Sequence, residues 1–355
     1  MTAGAASSGR AVVSCEQWLG SNAYAGMKAL RRAGWAVQVV AELEYVPLRW
    51  RGHRMRTMGR ALRRPAVREF NREVLRQAER TRAEFYLAFK GAYVMPETLR
   101  ELRRQDVRTY CFYPDVSFRA HGPWLPLALL EYDWIFTAKS FGVDDLRQQL
   151  AVTRASVLLH GFDPDLHRPI ELRSHDEARY GCDASFIGTW SPKKEALLAT
   201  LAERRPALHL RVWGEQWHNA RAASLARAIG GHEVTGEEYV RAIAASRVNL
   251  AILSERRDGA SAGDQITSRT FHIPACGAFM LHERTSELLE IFCEGRDVGC
   301  FTGADELIDI IDRSLANEAQ RRAIAERGRV LVTPKHSWDS RIEAILAHHR
   351  SEGGQ

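Results

Sequence analysis

The stretch DQITSRTFHIPACGAFMLHE, Asp264 to Glu283, decides how the second half of the chain is read. Thr267, Ser268, Arg269 and Thr270 stand just before a short helical pattern that starts near Thr270. Gly277 follows the helix and can close it in the left-handed conformation. The apolar run Ala278 to Glu283 then reads as a buried strand. Small polar residues and a cation at a helix start suit an anion, because helix-start N–H groups and a guanidinium both direct positive charge at it.

The same strand–helix alternation runs outward in both directions. Ala11 to Cys15 reads as a strand, a helix lies near Tyr24 to Ala33, Gly34 stops it, and Trp35 to Val40 is the next strand. That βαβ unit requires a parallel pair. Glu84–Phe89, Arg108–Tyr113, Trp134–Ala138 and Ser156–Leu159 continue the first sheet. Pro96 marks the start of a helix between the first two of these. His160 to Gly181 is polar, holds two prolines and lacks periodicity, so the domain boundary falls there. The alternation restarts with strands Ala184–Gly188, Leu208–Gly214, Val248–Leu253, Ala278–Glu283 and Val298–Phe301. Ser191 and Pro192 signal a helix after the first of them, and later helices span about 305–315, 318–327 and 337–348. Two consecutive series of this kind predict two doubly wound α/β domains facing a cleft, residues 1–160 and 161–335, with 336–355 as a final helix and tail. In such sheets ligands bind beyond the carboxyl ends of the strands.

Composition narrows the class. The 355 residues are 45% apolar and 26% charged, with 50 Lys plus Arg against 44 Asp plus Glu, a formal charge of +6. That suits an anionic ligand and gives no indication of nucleic acid. Six scattered cysteines form no CxxC pair or zinc pattern and read as reduced thiols. No apolar run approaches the roughly 20 residues that span a bilayer, so a cytoplasmic protein is expected. Arg49 to Arg82 holds twelve arginines, and Arg64, Arg68, Arg72, Arg76 and Arg80 recur every fourth residue. This stripe reads as a solvated face with Glu69, Glu73 and Glu79, or as a patch for an acidic acceptor or anionic lipid headgroups.

From Thr267 to Gly277, and with DELIDIIDRSLAN downstream, the sequence resembles the C-terminal half of the CgeB-like, spore-maturation type glycosyltransferases. These are relatives of the group 1 transferases of GT-B fold. The resemblance covers roughly residues 161–345. It implies two Rossmann-like domains around a cleft and a nucleotide-sugar donor, UDP-, GDP- or dTDP-linked, with no cofactor. The loop Thr267, Ser268, Arg269, Thr270 would cradle the diphosphate. In group 1 relatives two glutamates with seven residues between them flank this loop, and the second grips the ribose; here the matching pair is Asp264 and His272. An imidazole can bond a hydroxyl, or favour a phosphate when protonated.

Three further segments match the pattern. Gly188 and Thr189 fit the turn after the first C-domain strand, and Lys193 or Lys194 fits the lysine that reaches the diphosphate. Trp213, Gly214, Thr235, Gly236 and Tyr239 fall where relatives form the base pocket, with Trp213 or Tyr239 able to stack on the base. His160 to Pro169 resembles the superfamily linker; its Asp163-Pro-Asp165 reads as a cap rather than a metal site. No metal site is expected. On the first domain, Asp115 lies just past a strand with Arg119 and His121 close behind, and Asp115 and His121 are candidates for catalysis with Arg269; the loop after the first strand offers Glu16 and Ser21, and the Gly20-Ser21 turn can touch the diphosphate. Trp338 and Ile342 are the expected packing face of a last helix that returns to the first domain.

The function this implies is a metal-independent hexosyltransferase acting on an unidentified acceptor hydroxyl, leaning to retention. Two other readings stay open: a nucleotide-sugar-binding protein without turnover, and a sugar-nucleotide 2-epimerase of the same fold.

Overall fold

The computed structural model describes residues 9–16, 18–47 and 56–353, with side chains from residue 63 in the segment that begins at 56. The chain divides into two compact units. The predicted contributions of Arg49, Arg51 and Arg54 to the arginine-rich region lie outside the described residues.

Unit 1 takes the residues up to His160. Its elements are β1 (Gly9–Ser14), α1 (Asn22–Arg32), β2 (Trp35–Val39), α2 (Glu42–Tyr45), α3 (Arg56–Thr81), β3 (Phe85–Phe89), α4 (Pro96–Arg104), β4 (Arg108–Tyr113), α5 (Trp124–Leu129), β5 (Trp134–Thr137), α6 (Gly142–Leu150) and β6 (Ala155–Val157). The six strands are all parallel in the order β2-β1-β3-β4-β5-β6. Strand residues alternate between two buried faces, as an internal parallel sheet demands. Val12, Tyr86 and Cys111 face a cluster with Phe70, Val74 and Leu99. Val13, Leu87 and Phe112 face the other, with Met27 and Leu30. Asn71 joins α3 to α4: its amide donates to Val67 O (2.7 Å) and Tyr93 O (2.8 Å), and its Oδ1 accepts from Met95 N and Thr98 Oγ1.

Unit 2 takes Gly161–Glu255 and Gly263–Ser337. It holds α7 (Ser174–Tyr180), β7 (Cys182–Ile187), α8 (Pro192–Arg204), β8 (Leu210–Trp213), α9 (Gly236–Ala245), β9 (Ser246–Ala251), α10 (Arg269–Ala275), β10 (Met280–Glu283), α11 (Ser286–Ile291), β11 (Gly299–Phe301), α12 (Ala304–Ala316) and α13 (Glu318–Val332). Its five parallel strands run β11-β10-β9-β7-β8. The segment read as an irregular linker contains one element the sequence reading missed, α7, whose Asp176 carboxylate accepts from Arg173 N at 3.1 Å.

The last helix, α14 (Trp338–Gly353), belongs to unit 1. Trp338, Ile342, Ile345 and Leu346 are buried in the same cluster as Val13 and Leu87. Trp338 Nε1 donates to Asn22 Oδ1 at 3.2 Å, and Arg341 Nε donates to Leu159 O at 2.9 Å. Arg256–Ala262 also belongs to unit 1, which the sequence did not announce. Ser117 Oγ donates to Asp258 O (2.6 Å), Gln149 Nε2 to Gly259 O (2.9 Å), and Ser261 N to Asp145 Oδ2 (3.0 Å).

Each sheet has a point where the chain, having gone to one side of its first strand, crosses to the other. In unit 1 that point lies between β1 and β3, and in unit 2 between β7 and β9. Crevices of doubly wound sheets open at such points, beyond the strand carboxyl ends.

Because Trp338 is fully buried, Trp338→Ala should lower unit 1's stability by about 3–5 kcal/mol. Urea unfolding followed by tyrosine fluorescence and far-UV circular dichroism checks this; an unchanged midpoint would show that α14 adds little to unit 1.

Candidate functional site

The β7/β9 crevice edge in unit 2 is built around Arg269. Its Nη1 donates to Ile187 O at 3.2 Å, the last residue of β7, and its Nη2 to Ile252 O at 2.8 Å, just past β9. The guanidinium lies 5.2 Å from the Phe186 ring centroid. Burial draws its pKa down from the ordinary arginine value, opposed by Tyr239 and Asp264. A guanidinium carries five N–H donors, and Nε has no hydrogen-bond partner among the described residues. Gly188 sits against this group: a Cβ there would lie 2.8 Å from Arg269 Nη1.

The hydroxyls around Arg269 face inward. Thr267 N donates to Thr270 Oγ1 at 3.1 Å, and Thr270 Oγ1 lies 2.9 Å from His282 Nε2. His282 Nδ1 is 2.6 Å from Glu283 O, a carbonyl that can only accept. The proton therefore sits on Nδ1, and the Thr270 hydroxyl donates to Nε2. Two expectations for this loop need correcting. The amides of Thr270, Phe271 and His272 are not free to cradle an anion, because Thr270 N bonds Thr267 O, Phe271 N bonds Ser268 O and His272 N bonds Ser268 O. The Thr270 hydroxyl is consumed by His282. Thr267 Oγ1 is buried and has no hydrogen-bond partner among the described residues. The helix end follows its expected form: Gly277 has φ +74°, with Gly277 N bonded to Pro274 O and Ala278 N to Ile273 O. That is the Schellman pattern.

The two lysines have different surroundings. Lys194 is buried, and its Nζ donates to Thr189 O and Ser254 Oγ, both at 3.1 Å. Lys193 is half-buried; its Nζ lies 2.6 Å from Glu283 Oε1 and 3.3 Å from Leu253 O. Glu255 Oε1 accepts from Lys193 N at 3.2 Å, so a carboxylate stands at the N-terminus of the 13-residue α8. Burial pushes the Glu255 carboxyl up, but hydrogen bonds from backbone N–H groups and Ser191, with the Lys194 charge, outweigh it and hold it below its usual value. Sequence reasoning missed Ser254, Glu255 and Glu283. The long loop ERRDGASAGD after β9 was the one available signal for Glu255 and its neighbour Ser254, while Glu283 reads only as the end of a strand.

Of the predicted base-pocket residues, Trp213 is a core side chain packed with Tyr180, Val234 and Ala242, so its ring is not available for stacking. Gly214 has φ +133°, and a Cβ there would lie 2.3 Å from Gly188 O, which explains glycine at that position. Thr235 is exposed and precedes Gly236, the first residue of α9. Tyr239 stands on α9 with its ring 5.8 Å from both His167 and His272. Those two imidazoles stack at 3.9 Å and 15°. His272 Nε2 is 3.3 Å from Gly161 O, and burial drives its pKa well below 6.5, so it is neutral and cannot meet a phosphate as a cation. Asp264 is buried, with its N–H bonded to Ser254 O at 2.9 Å. Asp163 closes a turn, its Oδ1 accepting from Asp165 N at 3.1 Å. No group of three or more potential metal ligands occurs among the described residues.

Unit 1 gathers the other candidates. Asp115, past β4, lies 2.7 Å from Lys90 Nζ and 2.9 Å from His121 Nε2, both to its Oδ2. Burial would raise the Asp115 carboxyl, but His121 and the Lys90 ammonium outweigh it and hold it well below the carboxylate range. Asp115 is therefore a fixed anion. Lys90, just past β3, was missed in the sequence. Ser21 caps α1: its Oγ accepts from Tyr24 N at 2.9 Å and donates to Glu16 O at 3.1 Å. Arg119 packs against Gly259, where a Cβ would lie 2.6 Å from its Cδ. Among the described residues, no helix is long and apolar enough to cross a membrane.

Burial depresses the His282 pKa to about 4, against 6.5 unperturbed. Between those values the unfolded chain binds a proton that the folded chain refuses. The stability from neutral His282 is complete above about pH 6.5 and declines until about pH 4, a loss of about 3 kcal/mol. Replacing His282 with Gln should remove about one proton's worth of slope from unfolding free energies across that window; an identical slope would contradict a neutral buried imidazole.

Comparison with known proteins places this geometry. No curated protein matches the chain by sequence. Sucrose-phosphate synthase from Thermosynechococcus elongatus is similar over 97% of this chain and 99% of its own, at 12% identity and TM-score 0.67. Anabaena HepE in complex with UDP and glucose is similar over 97% and 100%, at 12% identity and TM-score 0.63. A trehalose-6-phosphate synthase studied for glycosyl transfer with retention is similar over 97% and 99%, at 13% identity and TM-score 0.62. The fold is that of the GT-B glycosyltransferases, two parallel-sheet Rossmann-like domains. Residues 193–347, from α8 into α14, match the family model described as glycosyl transferase-like.

Proposed function

We propose that the protein transfers a hexosyl group from a nucleotide-diphosphate sugar to an acceptor hydroxyl without a metal ion. One observation carries this: Arg269 is fixed at the β7/β9 switch point, with Lys193 and Lys194 on the adjoining helix start. Departure of a nucleoside diphosphate places negative charge on its terminal phosphate, and fixed cations there stabilise it. Arg269 supplies its remaining N–H donors. Lys193 is the lysine able to turn to a phosphate, by leaving Glu283, whereas Lys194 holds Thr189 and Ser254 in place. Tyr239, with Thr235 and Gly236, is the base-side candidate, and Asp264 and Ser268 border the diphosphate. HepE was solved with UDP and with UDP-glucose, which supports a uridine donor as the first to test.

Retention is the favoured outcome, in keeping with the retaining trehalose-6-phosphate synthase. Asp115, already an anion between two cations, does not serve as base in this reading; with His121 and Lys90 it is a polar anchor of unit 1. A second reading rests on the His121–Asp115 contact, which holds Nε2 and leaves Nδ1 to take a proton from an acceptor, giving inversion. The anomeric configuration of the first product, read by proton NMR, decides between them.

A thermal-shift panel of UDP-, GDP- and dTDP-sugars should show one donor class raising Tm. Arg269→Lys and Lys193→Ala should each cut donor turnover at least about tenfold, the scale of one charge-assisted phosphate contact. Activity should survive EDTA. Unchanged turnover in both variants would remove the phosphate assignment, and loss of activity in EDTA would remove metal independence.

A further inference from the structure

We propose that the helical layer α3–α4–α5 of unit 1 docks on an anionic lipid bilayer. The sequence concentrates charge there. Residues 49–82 hold twelve arginines and three glutamates, 12 − 3 = +9, while the whole chain is +6, leaving 6 − 9 = −3 for everything else. The protein's net basicity is therefore local to this one segment.

The structure gives that charge a shape. The 26-residue α3 is about 39 Å long at 1.5 Å per residue. Val67, Phe70, Asn71, Val74 and Ala78 are buried, and Arg64, Arg68, Arg72, Arg76 and Arg80 are exposed. Arg72 and Arg76 bond Glu69, Arg76 also meets Glu73, and Arg80 bonds Gln77 and Gln38. Arg64 and Arg68 have no carboxylate partner among the described residues. These five positions turn about 40° around α3 at each four-residue step, so the guanidiniums spread over the exposed side of the helix rather than enclosing a small ligand. Such an open spread matches the phosphates of an extended anionic surface.

Apolar side chains on the same layer choose the occupant. α3 packs on α4, and α4 packs on α5. From α5 and its end, Leu127 and Leu130 project to solvent at 54% and 42% exposure. An acidic polymer could satisfy the arginines but offers the leucines nothing. A bilayer satisfies both, with guanidiniums at headgroup phosphates and leucines at the acyl boundary.

Co-sedimentation with phosphatidylcholine vesicles, with and without phosphatidylglycerol, tests this on the full chain. Binding is expected only with phosphatidylglycerol, and should fall sharply between about 0.1 M and 0.5 M salt. The quintuple variant R64Q/R68Q/R72Q/R76Q/R80Q should lose at least about 100-fold in partitioning, with its circular dichroism unchanged. L127S/L130S should lose about tenfold. Should the arginine variant misfold, the leucine pair and the salt dependence carry the test. Equal binding to both vesicle types, or no vesicle binding, overturns the proposal. So does arginine-dependent capture of polyglutamate by a protein that leaves anionic vesicles untouched.

Discussion

A single buried guanidinium sets the geometry of the second sheet's functional edge. Parallel strands end in carbonyls that the ladder no longer satisfies, and at the β7/β9 switch point two such groups, from Ile187 and Ile252, accept from Arg269. Removing one charged partner from such a place leaves buried acceptors unmatched, which costs more than the bond itself contributes. The hydroxyl of Thr270 extends the tie to β10 through His282 and the Glu283 carbonyl. Three strand ends are thus held by one seven-residue helix, and β7 leads directly into the lysine-bearing start of α8.

The surrounding charges are balanced rather than simply positive. Lys193, Lys194 and Arg269 stand among Glu255, Glu283 and Asp264. Such a balance keeps each charge solvated by a fixed partner, which a half-buried lysine needs. An anion entering here would exchange with Glu283 for Lys193 instead of adding to a vacant cation. Recognition by exchange favours ligands with more than one negative oxygen, since a single contact would only replace the one lost.

The fold was legible because both halves alternate strand and helix with clear stops. Gly34, Gly188 and Gly277 lie at the ends of elements, and Pro192 at the start of one. The return of α14 to unit 1 was expected from the family resemblance, with Trp338 and Ile342 as its packing face, and not from any local pattern. Much of the site was less legible. Trp213 and Tyr239 look alike as aromatics, and only burial separates them: Trp213 is a buried member of the cluster with Tyr180 and Val234, and Tyr239 is partly buried against it. Lys90 and Asp115 lie 25 positions apart and meet because β3 and β4 are neighbours, a pairing that no local pattern announces. The loop 256–262 follows a strand of unit 2 yet joins unit 1, a choice made by Asp145, Gln149 and Ser117 far upstream.

The hydroxyl-rich start of α10 shows why motif chemistry and motif geometry must be weighed separately. Thr-Ser-Arg-Thr reads as an anion cradle because free amides and a helix dipole favour phosphate. In a seven-residue helix whose Thr270, Phe271 and His272 amides already bond back to Thr267 and Ser268, little of either remains. The positive field at this edge must come from side chains and from the longer α8, whose N-terminus faces Glu255. That carboxylate marks where α8 prefers negative charge, since it is held ionised there despite its burial. The polar residues of α10 therefore form the floor of the edge, and Lys193, at the head of α8 and bonded to Glu283, is the half-buried cation beside them.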